Sequence, residues 1–296
     1  MHRSDILSHC TLCPRQCGVD RYTSTGFCGE GAEVRAAKAY LHMWEEPCIS
    51  GTNGSGTVFF TGCSLRCVFC QNYTISQQGT GKPLSAAELA DVFLRLEEQG
   101  AHNINLVTAA HFVPQILDAL DLCRDRLTVP VVYNSSGYEL PGTIDMLRGY
   151  VDIFIPDFKY FSPEVSARYS AAPDYYEYAS AAVRKMAGIT GRPVIENGIM
   201  KSGVIVRHMI LPSHRRDSEA VLRSLADIKD DILLSLMSQY TPFYKAKDFH
   251  EIDRRIYSYE YGKVLDTVND IGFEGYMQER SSAKEEYTPD FDMQGL

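Results

Sequence analysis

The chain has one tryptophan in 296 residues, no long apolar run, no excess of basic charge and no internal repeat. Each absence excludes something. A helix that crosses a bilayer needs about 18 consecutive apolar residues, and no stretch approaches that. The opening segment MHRSDILSHC lacks the apolar centre of a secretory signal, so the expected location is cytoplasmic, where thiols stay reduced. With 29 Lys and Arg against 38 Asp and Glu, the formal charge is −9, which argues against nucleic acid or an anionic membrane as the main partner. The glycine-rich GTNGSG (51–56) lacks the Lys-Ser/Thr pair of a phosphate-binding P-loop, and no helical pattern follows it directly. It reads as a turn feeding a strand.

Cysteine is plentiful by contrast. Of nine, seven fall in two tight groups: Cys10, Cys13, Cys17 and Cys28 at C-x2-C-x3-C-x10-C, then Cys63, Cys67 and Cys70 at C-x3-C-x2-C within TGCSLRCVFCQN (61–72). In a reducing compartment such groups point to metal rather than disulfides. A structural zinc site closes with four protein ligands. Three thiolates with no fourth beside them suit a four-iron cluster with one open corner, a position built to bind and change something. The N-terminal four can close a site unaided. Zinc and an auxiliary iron–sulphur cluster both accept four thiolates, and the lack of two C-x2-C pairs favours the cluster. Gly18, Gly26 and Gly29 allow tight turns around that metal, in a segment too small for a core of its own. Cys48 and Cys123 stand alone and read as buried thiols. His9 reads as a bystander.

From residue 56 the pattern alternates strand and helix. Short apolar segments recur at TVFFTG (57–62), NINLVTA (103–109), VPVVYN (129–134), VDIFIPD (151–157), GVIVRHMIL (203–211) and ILLSLMS (232–238). Helical patterns lie at 85–99, 112–124, 174–188, 217–228 and 254–269, the first opened by a capping box of Ser85 and Glu88 and closed by Gly100. Six strands separated by helices predict an α/β fold with a parallel sheet whose functional residues sit at the strand ends. The expected organisation is a Cys-rich metal-binding extension over 1–55, a core over 56–280 and a loosely ordered tail over 281–296.

C-x3-C-x2-C after the first strand of a repeated β/α pattern, with Phe69 just before its third cysteine, resembles the signature of the radical S-adenosylmethionine (SAM) superfamily. The resemblance extends to relatives of the pyruvate formate-lyase activating enzyme through CTLCPRQCGVDR, GFCG, WEEPCISGTNGSG, FCQNYTIS, GAHNINLVT, VVYNSSGY, VDIFIPDFKY and VIVRHMILP. It implies a partial (β/α)6 TIM-like barrel and a [4Fe-4S] cluster on Cys63, Cys67 and Cys70. It further implies SAM on the open iron, and reductive cleavage to a 5′-deoxyadenosyl radical that abstracts a substrate hydrogen. It implies an electron donor such as flavodoxin or ferredoxin, and a glycyl-radical enzyme or a peptide as substrate.

Site residues follow from the same resemblance. Asp157 and Lys159 match a D-x-K that lies against SAM at the end of the fourth strand. Asn134 and Ser135 stand where activating enzymes carry Asp-Thr, Phe69 takes the aromatic position, and Arg207 matches an arginine of the fifth strand. Two departures stand out. VTAAHF, with Thr108, Ala109 and Ala110, replaces the Gly-Gly-Glu that binds the SAM amino group, and SQYTP replaces a histidine-bearing loop. Arg207, inside an apolar strand, calls for an acidic partner or a SAM carboxylate. Glu45 and Glu46 in WEEP either bind a substrate amine or form an ordinary turn before Pro47. His111 and His208 read as hydrogen-bonded structural histidines, with a proton relay as the alternative. A reading from another class is a non-catalytic iron–sulphur or zinc protein that regulates or scaffolds. Retention of Phe69, Asp157 and Lys159 counts against it.

Overall fold

The computed structural model describes residues 3–278 and 289–296. Its strands are β1 (Val34–His42), β2 (Ser55–Phe60), β3 (Lys82–Leu84), β4 (Ile104–Val107), β5 (Val131–Ser135), β6 (Ile153–Pro156), β7 (Val194–Glu196), β8 (Ile199–Met209), β9 (Leu233–Met237) and β10 (Gly275–Met277). The helices are α1 (Arg3–Ser8), α2 (Pro47–Ser50), α3 (Tyr73–Ser76), α4 (Ala86–Glu98), α5 (Val113–Cys123), α6 (Pro141–Met146), α7 (Pro163–Ser170), α8 (Tyr175–Thr190), α9 (Arg215–Ser224) and α10 (Ser258–Ile271).

The strand order is β10-β9-β8-β6-β5-β4-β2-β1-β3, parallel from β2 to β10 and antiparallel where β1 meets β2 and β3. All six expected strands are present, joined by helical connections and curved into a partial barrel that does not close. Alternation along each strand sends one row of side chains outward and the other inward. Val58, Phe60, Ile104, Leu106, Phe154, Val206 and Leu234 go outward, into a core shared with helices such as α4 and α5. Each such side chain contributes roughly 1.5–3 kcal/mol by leaving water. Inward, Val132, Ile153, Ile155 and Ile205 pack against Cys48 and Ile49 of α2, which plugs the barrel floor. The plug is held by its chemistry: Pro47 opens the turn, and Gly51 ends it with φ 50° where a Cβ would strike Ile199 and His102.

Helix ends follow local rules. Ser85 accepts from the Glu88 N–H while Glu88 accepts from the Ser85 N–H, so α4 starts where its capping box predicts. The helix expected from Arg254 begins only at Ser258, because Glu260 caps the Tyr257 N–H and binds Arg254 outside the helix. Residues 217–228 split into α9 and a 3₁₀ stretch, Ala226–Asp231.

The extension over 1–55 is continuous with the core, since β1 lies in the main sheet beside β2. Its alanines (Ala36, Ala37, Ala39) carry no strand signature, yet both edges are paired. Of the expected loose tail, 281–288 lie outside the described residues. Residues 289–296 are seated along β1: Met293 N–H donates to Ala37 O and Ala39 N–H to Gln294 O, both at 2.9 Å, and Phe291 meets Phe59 edge-on at 5.5 Å.

Candidate active site at the open end of the barrel

The cysteine loop leaves β2 through Gly62, whose φ of 75° and contact with Glu30 and Cys28 O leave no room for a side chain. Each of its thiols faces a hydrogen-bond donor. Leu65 N–H lies 3.4 Å from Cys63 Sγ, Ser170 Oγ 2.9 Å from Cys67 Sγ and Ser76 Oγ 3.3 Å from Cys70 Sγ. Tyr160 Oη continues the chain, 2.7 Å from Ser170 Oγ. Burial pushes the Cys63 thiol up to about 12 and the Cys70 thiol up to about 11, against the pull of Lys159. These sulphurs would therefore become thiolates only as metal binding displaces their protons to solvent. Among the described residues no three His, Cys, Asp or Glu groups meet at one ion. A cubane does not ask that of its ligands, because each thiolate takes a different iron. Three soft ligands, each with a hydrogen-bond donor at its sulphur, fit such a cluster with one corner left for another ligand.

Beyond β6 the chain turns so that Asp157 and Lys159 pair at 2.5 Å, each with about a fifth of its side chain exposed (24% and 19%). Burial opposes the Lys159 charge, but Asp157 and the loop thiols outweigh it and hold its pKa above the ordinary value. Tyr175, wholly buried at the start of α8, sets this geometry. Its hydroxyl accepts from Lys159 N–H at 3.0 Å and lies 2.8 Å from Ser136 O and 2.9 Å from Asp157 O. Gly137 makes the approach possible, since a Cβ there would sit 2.0 Å from Asp157 O. Tyr175 and Ser170 carried no signal in the sequence, being lone hydroxyls far from the motifs they serve, whereas Ser76 and Tyr160 close the stretches FCQNYTIS and VDIFIPDFKY.

The other expected residues divide. Asn134 is inward, paired with Ile155 and two register positions from Asp157, whereas Ser135 turns outward and accepts from Gly137 N–H at 3.1 Å. Phe69 is buried and meets Tyr240, of the SQYTP segment, edge-on at 5.7 Å. Arg207 has its acidic partners: Nε donates to Glu46 at 2.8 Å, and a terminal nitrogen reaches Glu46 at 2.5 Å and Glu45. At the Gly-Gly-Glu position, Thr108 adopts a left-handed φ of 61°, the backbone a glycine would take, and its N–H donates to Asn134 O. His111 Nε2–H donates to Thr61 O at 2.7 Å, and His208 Nδ1–H donates to Phe158 O at 2.6 Å. Burial lowers them to about 3 and about 4, so both stay neutral.

The N-terminal cysteines lie against this loop. Cys10, Cys13 and Cys28 are buried and mutually close, Cys17 is exposed, and the Cys17 and Cys28 sulphurs flank Gly26. Cys63 N–H donates to Cys28 O at 3.3 Å. Phe27 is sandwiched between Arg15 (4.1 Å) and Arg66 (4.3 Å), and Arg15 donates to Ser64 O at 2.8 Å. Burial raises the Cys13 thiol to about 12. Four thiols in one short segment are soft donors, but among the described residues no three of them meet at one ion as a zinc site would need.

Residues 57–223 match the Radical SAM superfamily. The chain is 30% identical over 274 residues to the uncharacterised protein MJ0674 of Methanocaldococcus jannaschii, covering 88% of this chain and 75% of the relative. It is 26% identical to a pyruvate formate-lyase-activating enzyme of Clostridium pasteurianum, over 62% of this chain and 73% of that one. Among solved structures, Streptococcus suis SuiB bound to S-adenosylmethionine shares the fold with a TM-score of 0.52 at 10% identity, over 76% of this chain and 50% of that one. SuiB bound to its precursor peptide SuiA gives a TM-score of 0.51 at 10% identity, over 73% of this chain and 46% of that one. The chain thus spans about half the length of those two structures. No helix of the described residues is long and apolar enough to cross a membrane. A family match across most of the barrel, on a parallel α/β sheet ending in this cysteine loop, makes the chain a member of the radical SAM superfamily, enzymes of SAM and a [4Fe-4S] cluster.

Proposed function

We propose that this enzyme cleaves SAM reductively and abstracts hydrogen from a substrate held inside the barrel, with Cys63, Cys67 and Cys70 as the cluster ligands. The observation that supports it is the meeting, at one end of the sheet, of the cysteine loop with the half-buried Asp157–Lys159 pair. When bound, the cluster and SAM supply an electron and then a 5′-deoxyadenosyl radical. The chain's own residues bind and orient. Lys159 and Asp157 offer opposite charges to the carboxylate and amino ends of SAM. Ser170 and Ser76 donate to sulphur, and the α2 plug shuts the floor against water.

A reduced flavodoxin or ferredoxin is the proposed electron donor, and the nine free cysteines suit the cytoplasm. Activation of a glycyl-radical enzyme is the substrate reading favoured by the 26% identity to an activating enzyme. Modification of a peptide or small molecule is the second, favoured by SQYTP (238–242) standing in place of a histidine-bearing loop. The test is anaerobic reconstitution with iron and sulphide, reduction, and assay of 5′-deoxyadenosine and methionine. Wild type should form both without substrate and Cys67→Ala should form neither. Absence of 5′-deoxyadenosine from wild type carrying an intact cluster overturns the reading.

A further inference from the structure

The floor of the barrel holds more negative than positive charge. Arg207 is the one cation paired with Glu45 and Glu46 among the described residues, with side-chain exposures of 13%, 7% and 6%. It grips Glu46 through Nε and a terminal nitrogen and touches Glu45 with that same nitrogen. Ser235 also serves Glu46. One guanidinium therefore faces two carboxylates. The neighbouring His42 adds no charge: burial lowers its pKa, and Nδ1 is engaged by the Tyr40 hydroxyl at 2.6 Å. A carboxylate left over in such a place is costly unless something positive joins it.

A second observation points to the same spot. Asn105, on β4, is fully buried; Nδ2 donates to Glu45 Oε1 at 2.9 Å, and Oδ1 has no partner among the described residues. Turning the amide round would set its oxygen against a carboxylate, so the orphan acceptor stays where it is. The surplus charge and the unpaired oxygen thus lie side by side on the inward face. Arg207 is the bridge partner of Asp157, so this spot adjoins the Asp157–Lys159 pair on the same inward face. The barrel is open to this depth, since Asn134, Asp157, Arg207 and Met209 all keep some exposure. A calcium or magnesium ion would ask for six or more oxygens. An ammonium asks for a few acceptors and one balancing charge, which is what Glu45 and Asn105 offer.

We propose that Glu45 and Asn105 recognise a protonated amine of the substrate. The inference rests on the barrel interior being the substrate chamber of a radical SAM enzyme. Ligand-observed NMR with the full chain tests it, using n-butylammonium, its neutral isostere 1-butanol, and Nα-acetyl-lysinamide. The amines should bind in competition with each other, 1-butanol should not, and Glu45→Gln should weaken amine binding tenfold or more. Asn105→Ala should weaken it in the same direction and serves if Glu45→Gln does not fold. Binding of the capped lysine assigns a lysine side chain as the source; binding of butylammonium alone assigns a free amine. Equal binding of 1-butanol, binding by neither amine, or unchanged affinity in the folded variants overturns the proposal. Formation of 5′-deoxyadenosine by wild type is read separately, so failure here is distinct from failure of the SAM-cleavage reading.

Discussion

At the scale of single residues, Tyr175 is where the candidate SAM contact is built. Its hydroxyl joins three backbone groups around Asp157 and Lys159. Tyr175→Phe leaves buried groups unpaired, which should lower the unfolding free energy by about 1–3 kcal/mol and weaken SAM binding without loss of iron. Asp157→Ala and Lys159→Ala remove one charge-assisted contact each, worth ~1.5–3 kcal/mol, so SAM affinity should fall roughly ten- to hundredfold at constant iron content. Equilibrium binding and iron assay check all three; if both charge variants bind SAM like wild type, the pair is only a strand-end ion pair. His208 gives a pH signature. Burial holds it at about 4 in the fold, below the ~6.5 of an unfolded histidine. The unfolded chain therefore binds more protons between those values. Its contribution is complete above pH ~6.5 and is lost as pH falls toward 4, on the order of 2 kcal/mol by pH 4.5. Urea melts across that window should show the loss, and His208→Gln should reduce it to the part that the buried, neutral His111 contributes.

Among elements, β1 and the terminal segment are the least expected. β1 has an edge that would stand open beyond its short pairing with β3, and residues 289–296 cover it. Gly295 permits the contact, because a Cβ would lie 1.9 Å from Ala39 O. Two backbone hydrogen bonds and one aromatic contact contribute about 3 kcal/mol together. Deleting 289–296 should lower the melting temperature by several degrees while the iron content of the cysteine loop stays the same, as calorimetry and iron assay would read. An unchanged melting temperature would mean that the segment adds nothing to the fold.

For the molecule as a whole, the two cysteine groups share a border but differ in size, four against three. Ala at Cys63, Cys67 and Cys70 should remove the SAM-responsive electron paramagnetic resonance signal and spare any metal that Cys10, Cys13, Cys17 and Cys28 bind. Ala at Cys13 and Cys17 should do the reverse, with some loss of stability where Phe27 and Arg15 brace the loop. Metal analysis of the loop variant then separates an auxiliary cluster, at about four irons per chain, from structural zinc, at about one ion. A folded loop variant with no metal would make the N-terminal four ordinary thiols.

The six parallel strands, the α4 capping box and the cysteine loop could be read along the chain because each is local. Apolar runs of strand length, a Ser-x-x-Glu start and a spacing of thiols need no distant partner to be recognised. Glu45 and Glu46 were visible as two acids beside a proline, and Arg207 as a charge in an apolar strand. Their pairing was not, because about 160 residues separate them and only the curvature of the sheet brings them together. The same holds for Tyr175 and Ser170, hydroxyls whose importance comes from which backbone or sulphur they meet. The alanine-rich β1 shows the converse, a strand with no local preference that forms because β2 on one side and β3 with residues 289–296 on the other satisfy its backbone. Local chemistry chose the elements and the ligands; long-range packing chose their partners.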